Sequence, residues 1–244
     1  MGATGLKSTT NHINLVDPQK LRNVFGSVNR HIIEGGLSDE DSLALSDLVQ
    51  SLKGNNLQIA EIGSWRGCST SILASEVVNR GGTVFAIDHW KGNEGTNSAL
   101  IASRYNIYFL FKENMRVLGV WDVIRPMRMS SQKAVLHFED ASLDLVFLDG
   151  DHRYQCIKQD ILSWLPKIKP GGILCGHDAE TYYSKWGEKE HKLINEHLDD
   201  DSIRVPDFYI EPSPIIHCGV IKALHDCLND KHSLLADRIW YYKI

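Results

Sequence analysis

The chain has 244 residues, is 43% hydrophobic and 23% charged, and carries a formal net charge of −5. That length suffices for a large core in one compact domain, and the composition is ordinary for a globular protein. The acidic balance leaves no basic footprint for nucleic acid, and no apolar run approaches membrane-spanning length. The N-terminus lacks the apolar stretch of a signal peptide. Five cysteines, an odd count with no CxxC pair, fit a reducing compartment, so a cytoplasmic location is expected.

Taken in chain order, residues 1–56 read as a mainly helical cap segment, with "LSDEDSLALSDLVQSLKG" as its clearest helix. A strand–helix alternation then runs through residues 57–244. "LQIAEIG" (57–63) is a short apolar run closed by glycine, and "CSTSILASEVVNR" (68–80) has helical spacing. "GTVFAIDHW" (82–90) is a second strand and 98–119 a single helix. "WDVIRPMRM" (121–129) is a third strand despite Pro126, "SLDLVFLD" (142–149) a fourth and "GGILCGHD" (171–178) a fifth. Beyond 178 come a polar helix ("SKWGEKEHKLINEHL"), an acidic run at 199–201 expected to be a solvated loop, and two more strands. Those strands, "SPIIHCGVIKA" and "DRIWYYKI", are expected to form a terminal antiparallel pair. The expected fold is a Rossmann-like, doubly wound, mainly parallel α/β sheet of about seven strands with an antiparallel C-terminal strand.

In such sheets ligands bind beyond the carboxyl ends of the strands, and every polar cluster of interest lies there. "EIGSWRGCST" carries Glu61 into Gly63, Ser64 and Gly67, and a helix opens with Ser69 and Thr70. Glycines let the backbone approach a ligand, and a helix N-terminus offers unpaired N–H groups. The GxxxG spacing is wrong for a dinucleotide fingerprint, and no P-loop follows. Asp88, after the second strand, is placed to accept from the two hydroxyls of a ribose. Trp90 either stacks near the ligand or packs under the next loop. Asp149 ends the fourth strand, and His177 and Asp178 end the fifth. Neighbouring strands would bring all three to one cation, oxygen donors favouring Mg²⁺ and an imidazole favouring Mn²⁺, Fe²⁺ or Zn²⁺. The plainer alternatives are a polar turn at 149–151 with Asp151 capping the next helix.

The glycine loop resembles motif I of the class I S-adenosylmethionine-dependent methyltransferases, with Trp65 where that motif has its middle glycine. The block 147–178 resembles metal-dependent O-methyltransferases acting on sugars of natural products. The resemblance spans about 57–178. It implies S-adenosylmethionine as cofactor, bound by Glu61, Gly63, Ser64, Gly67, Ser69, Thr70, Asp88 and Trp90, with Ser130 and Ser131 at the adenine. It also implies a divalent cation (Mg²⁺ or Mn²⁺) on Asp149 and Asp178, and His152 as general base. His177 falls where the sugar-modifying relatives have an acid, so its place as the third ligand is a departure. The expected activity is methyl transfer to a hydroxyl of a small-molecule acceptor. The alternatives are an iron-dependent hydroxylase-like enzyme on the same fold and a non-catalytic binder of the nucleoside. No nucleic-acid or membrane partner is expected, and aromatics in "RIWYYKI" would suit an edge-strand contact between copies.

Overall fold

The computed structural model describes residue 33, residues 35–204 and residues 215–244. The expectations for the first 32 residues therefore lie outside the described part. Helix α1 (Asp39–Ser51) opens with a capping box in which the Ser38 hydroxyl accepts from the Asp41 N–H and the Asp41 carboxylate accepts from the Ser38 N–H. There follow β1 (Gln58–Ile62), α2 (Cys68–Val78), β2 (Thr83–Ile87), α3 (Asn97–Arg104), α4 (Ile107–Val117), β3 (Ile124–Met127), α5 (Ser131–Ala134), β4 (Leu143–Leu148), α6 (Tyr154–Trp164) and β5 (Ile168–Gly176). After β5 come α7 (Glu188–Glu196), β6 (Ile203–Arg204), β7 (Ile215–Ile216), α8 (Cys218–Leu228), β8 (Ser233–Leu235) and β9 (Ile239–Lys243).

The main sheet has the order β3-β2-β1-β4-β5-β9-β8. Strands β1 to β5 are parallel, while β9 runs antiparallel to β5 and β8 antiparallel to β9. Strand side chains alternate between two cores. Ile59, Leu145, Phe147 and Ile173 face α1, α2 and α4, where Leu45, Val49, Leu73 and Phe111 pack. Ala60, Val146, Leu148 and Leu174 face α6 and α8, where Ile161, Trp164 and Leu224 pack. A smaller cluster around Ile194, Ile216 and Ile221 joins α7 to the β6–β7 ribbon. No helix among the described residues is long and apolar enough to cross a membrane.

Three expectations are corrected. The 98–119 helix is two helices, because Asn106 accepts from the Phe109 N–H and starts α4 afresh. "SPIIHCGVIKA" is not a strand of the terminal pair. Ile215–Ile216 pairs with β6, and Cys218 onward is helical, its buried Val220, Ile221, Leu224 and Leu228 recurring at helical spacing. The terminal antiparallel pair is β8 with β9. "RIWYYKI" is therefore an interior strand with Trp240 fully buried, so the aromatics do not form the free edge; β8 does.

Candidate active site

The order reverses between β1 and β4, which go on to neighbours on opposite sides, and that switch point is where an open α/β sheet opens a ligand crevice. The ladder hydrogen bonds continue past the strand ends. Gly63 N–H donates to Ile87 O at 2.9 Å, Asp149 N–H to Ile62 O at 2.8 Å and His177 N–H to Leu148 O at 3.2 Å. Gly63, Asp149 and His177 thus leave the sheet side by side, with Asp88 following Ile87 on β2.

One cavity of about 320 Å³ lies over these ends, lined by Gly63, Trp65, Asp88, Ser130, Ser131 and Asp149 among others. Asp88 is anchored by the backbone N–H groups of Trp65 (2.8 Å) and Trp90 (2.5 Å), leaving further lone pairs for a ligand. Burial pushes its carboxyl upward, against those hydrogen bonds. Other predicted residues stand away from this cavity. Glu61 is wholly buried beneath the loop and accepts from the hydroxyls of Ser64 (2.7 Å), Ser69 (2.5 Å) and Thr70. Burial outweighs those donors and pushes Glu61 up to about 7. Gly67 packs against Met115 and Phe111. Trp90 is buried, its indole N–H donating to Trp65 O of the glycine loop at 2.7 Å and its ring packing on Tyr108 and Phe111 of α4.

Gly63 has φ +94°, and a Cβ there would collide with the Asp149 carbonyl oxygen. Gly63→Ala is expected to cost at least about 2 kcal/mol of stability and to lose nucleoside binding. Denaturant unfolding and a titration with S-adenosylhomocysteine measure both; an unchanged variant would show that the loop tolerates a side chain.

A second hollow of about 270 Å³ adjoins the first and shares Gly63, Trp65 and Asp149 with it. It contains His177, Asp178, His217 and Arg238. His177 Nδ1 lies 3.1 Å from Asp178 Oδ1 and 4.0 Å from Asp149 Oδ1. His152 stands with Nε2 3.1 Å from Asp178 Oδ2 and 3.7 Å from Asp149 Oδ1, and with Nδ1 3.4 Å from Asp201 Oδ1. Asp178 sits at φ +66°, a left-handed conformation unusual for a non-glycine residue and common at functional sites. Burial disfavours charge on both imidazoles, but the carboxylates outweigh it, raising His152 to about 9 and His177 to about 10. Against the same burial, the histidines hold Asp178 well below the usual carboxylate range.

Four contributors escaped the sequence reading. Asp41, wholly buried, faces His177 Nε2 at 3.1 Å. His217 lies with Nδ1 3.4 Å from Asp178 Oδ1 and 2.6 Å from Glu180 Oε1. Asp201 belongs to the acidic run at 199–201, which is an exposed turn as expected, and its carboxylate also lies 3.4 Å from His152 Nδ1. Arg238 pairs with Asp178 at 3.0 Å. Only helical capping signals at Asp41 were visible in the sequence, since the other contacts join distant segments.

A sheet of this order, with a glycine loop at the switch point and an acid after β2, is the fold of the class I S-adenosylmethionine-dependent methyltransferases. Residues 60–179 match the family Methyltransf_24, described as a methyltransferase domain, and this stretch of the chain belongs to it. The O-methyltransferase from Bacillus cereus in complex with S-adenosylhomocysteine is similar in fold, with a TM-score of 0.57 at 15% identity over 93% of this chain and 92% of that one. The O-methyltransferase TomG from Streptomyces achromogenes, involved in tomaymycin synthesis and bound to S-adenosylmethionine, gives 0.56 at 13% identity over 91% and 88%. An uncharacterized protein of Sinorhizobium fredii, y4gI, is 27% identical over 139 residues. The match covers 55% of this chain but 14% of that protein, so the alignment spans a small part of the relative.

Proposed function

We propose that the protein transfers the methyl group of S-adenosylmethionine to a hydroxyl oxygen of a small molecule, a sugar or another natural product, with a divalent cation in the acid–histidine hollow. The observation that carries this reading is the shared wall: Gly63, Trp65 and Asp149 line both the cavity over the switch point and the hollow beside it. A methyl donor in the first would present its reactive carbon to an acceptor in the second. In the cavity, Asp88 would accept from the ribose hydroxyls, and Ser130 and Ser131 would border the adenine.

In the transfer an acceptor oxygen lone pair forms a bond to the methyl carbon as the carbon–sulfur bond breaks. The electron pair goes to sulfur, and the hydroxyl proton leaves to a base. His152 Nε2 stands 3.1 Å from Asp178 and 3.7 Å from Asp149, which line the hollow, and His152 is the residue assigned that proton. The residues fit a cation on two observations. One donor atom each from Asp149, His177 and Asp178 lie within 4.8 Å of one another, and both ring nitrogens of His152 are buried without a hydrogen bond. When bound, the ion would lower the acceptor hydroxyl's pKa and offset the negative charge of Asp149 and Asp178 that holds the His152 proton. His152 would then be free to accept.

The test is thermal unfolding with S-adenosylhomocysteine, repeated with Mg²⁺, with Mn²⁺ and with EDTA. At 100 times its dissociation constant the nucleoside should add about 2.7 kcal/mol. The proposal expects a metal increment that Asp149→Ala removes. A nucleoside shift indifferent to metal would overturn the cation assignment. No nucleoside shift under any condition would overturn the proposed cofactor cavity.

A further inference from the structure

The kind of ion that the hollow takes can be argued from its donors, granted the reading that a cation binds there. We infer that Asp149, His177 and Asp178 form a centre of one imidazole and two carboxylates that takes a first-row transition-metal ion, of the class of Mn²⁺, Fe²⁺, Co²⁺ or Zn²⁺, in preference to Mg²⁺. In it Asp41 of the cap helix is the positioning residue behind His177.

Ligand spacing supports one ion. Donors about 2.0–2.2 Å from a metal stand roughly 3–4 Å from one another. His177 Nδ1 is 3.1 Å from Asp178 Oδ1 and 4.0 Å from Asp149 Oδ1. The alternative trio, His152, Asp178 and His217, is the weaker set, because His217 Nδ1 is already 2.6 Å from Glu180. His152 Nε2, buried without a hydrogen bond, faces the space between Asp149 and Asp178.

The imidazole is the discriminating donor, and the fold holds it rigidly. His177 is 3% exposed, and its outer nitrogen Nε2 lies 3.1 Å from Asp41 Oδ2. The other Asp41 oxygen accepts from the Arg238 backbone N–H at 2.9 Å, which fixes the carboxylate. A carboxylate can only accept, so Asp41 keeps an N–H on Nε2, and Nδ1, which faces Asp149 and Asp178, is the nitrogen that a cation would bind in place of a proton. An outer carboxylate behind a ligating imidazole is the usual way its orientation and basicity are set.

The oxygen donors, by contrast, are poor for a hard ion. Mg²⁺ sheds water reluctantly and depends on carboxylate oxygens in a near-ideal octahedron. Asp178 Oδ1 is shared with the Arg238 guanidinium at 3.0 Å, which draws off part of its charge. Nitrogen donation from His177 is untouched by that pairing, so the site's remaining affinity favours ions that bind imidazole well.

The experiment uses the full chain freed of metal with EDTA and titrated with Co²⁺, read by the visible ligand-field absorption. Mn²⁺, Zn²⁺ and Mg²⁺ then compete. The expected result is a Co²⁺ spectrum that Zn²⁺ abolishes, that Mn²⁺ abolishes only in excess, and that a larger excess of Mg²⁺ leaves in place. His177→Gln should lose the spectrum. Asp41→Asn should weaken Co²⁺ binding about 10–100-fold. Binding of S-adenosylhomocysteine in the neighbouring cavity reports that each variant is folded. Displacement of Co²⁺ by Mg²⁺ at equal concentration, or a His177→Gln protein that binds Co²⁺ like wild type, overturns this inference alone. Failure of every ion to bind overturns it together with the cation in the proposed function, while a retained nucleoside shift would leave methyl transfer standing.

Discussion

His152→Ala should lower kcat by about 10²–10⁴-fold while leaving the affinity for S-adenosylhomocysteine within a few-fold of wild type. The asymmetry follows from position. His152 does not line the cavity assigned to the nucleoside, and its Nε2 faces Asp178 and Asp149 in the hollow assigned to the acceptor. A sulfonium methyl is already an activated electrophile, so under the proposed function the chain's contribution would be to align the acceptor oxygen and take its proton. Removing the proton acceptor should therefore appear in the transfer step. Single-turnover transfer of a labelled methyl group, with an acceptor found by screening hydroxylated sugars and phenols, reads that step directly. A loss below about ten-fold would remove His152 from the base role. Asp201→Asn is the companion variant. It lies 3.4 Å from His152 Nδ1, on the ring side opposite the hollow, so it should slow transfer by less than His152→Ala does.

The fold was legible where burial writes a simple signal. Strands β1, β2, β4 and the second half of β5 are mostly apolar because both faces are covered, Glu61 and Asp144 being the charged exceptions, and each stops at glycine or aspartate where the chain leaves the sheet. The same punctuation brought Asp149, His177 and Asp178 together, since parallel neighbours end at one rim. Where two elements share a residue vocabulary, the reading failed. "SPIIHCGVIKA" is rich in Ile and Val and reads as strand, but from Cys218 its buried positions recur at helical intervals and that helix packs beside α6. Asp41, Asp201, His217 and Arg238 were illegible for a different reason. Their partners lie 136 residues away for Asp41–His177 and 60 for Arg238–Asp178. Such contacts depend on how α1, the β6–β7 region and β9 dock on the sheet, and no local pattern encodes that. Glu61 shows a subtler limit: its place at the end of β1 was visible, but its side chain points under the loop and braces it from below.

That bracing makes Glu61 the residue expected to dominate the difference in pH response between wild type and a single neutral variant. Its pKa is raised from 4.5 to about 7 because burial disfavours the carboxylate more than the Ser69, Thr70 and Ser64 hydroxyls favour it. The folded state thus holds a proton that the unfolded chain releases near 4.5. Stability is fully present below that value and falls as pH rises through about 7, where the folded protein must ionise a buried group. Over that window the loss attributable to Glu61 is on the order of 3 kcal/mol, each factor of ten in an acidity constant being worth about 1.4 kcal/mol. Glu61→Gln keeps the shape and stays neutral, so it should lack this fall. Denaturant unfolding of both proteins from pH 4.5 to 8 should give a difference that grows in favour of the variant as pH rises. Asp160, raised by burial to about 6, titrates in both proteins and cancels in that difference. A difference that does not change with pH would mean that Glu61 is ionised throughout. The three hydroxyls would then hold a buried carboxylate under the loop, and its negative charge, next to Asp149, would act on the shared wall of the cavity and the hollow.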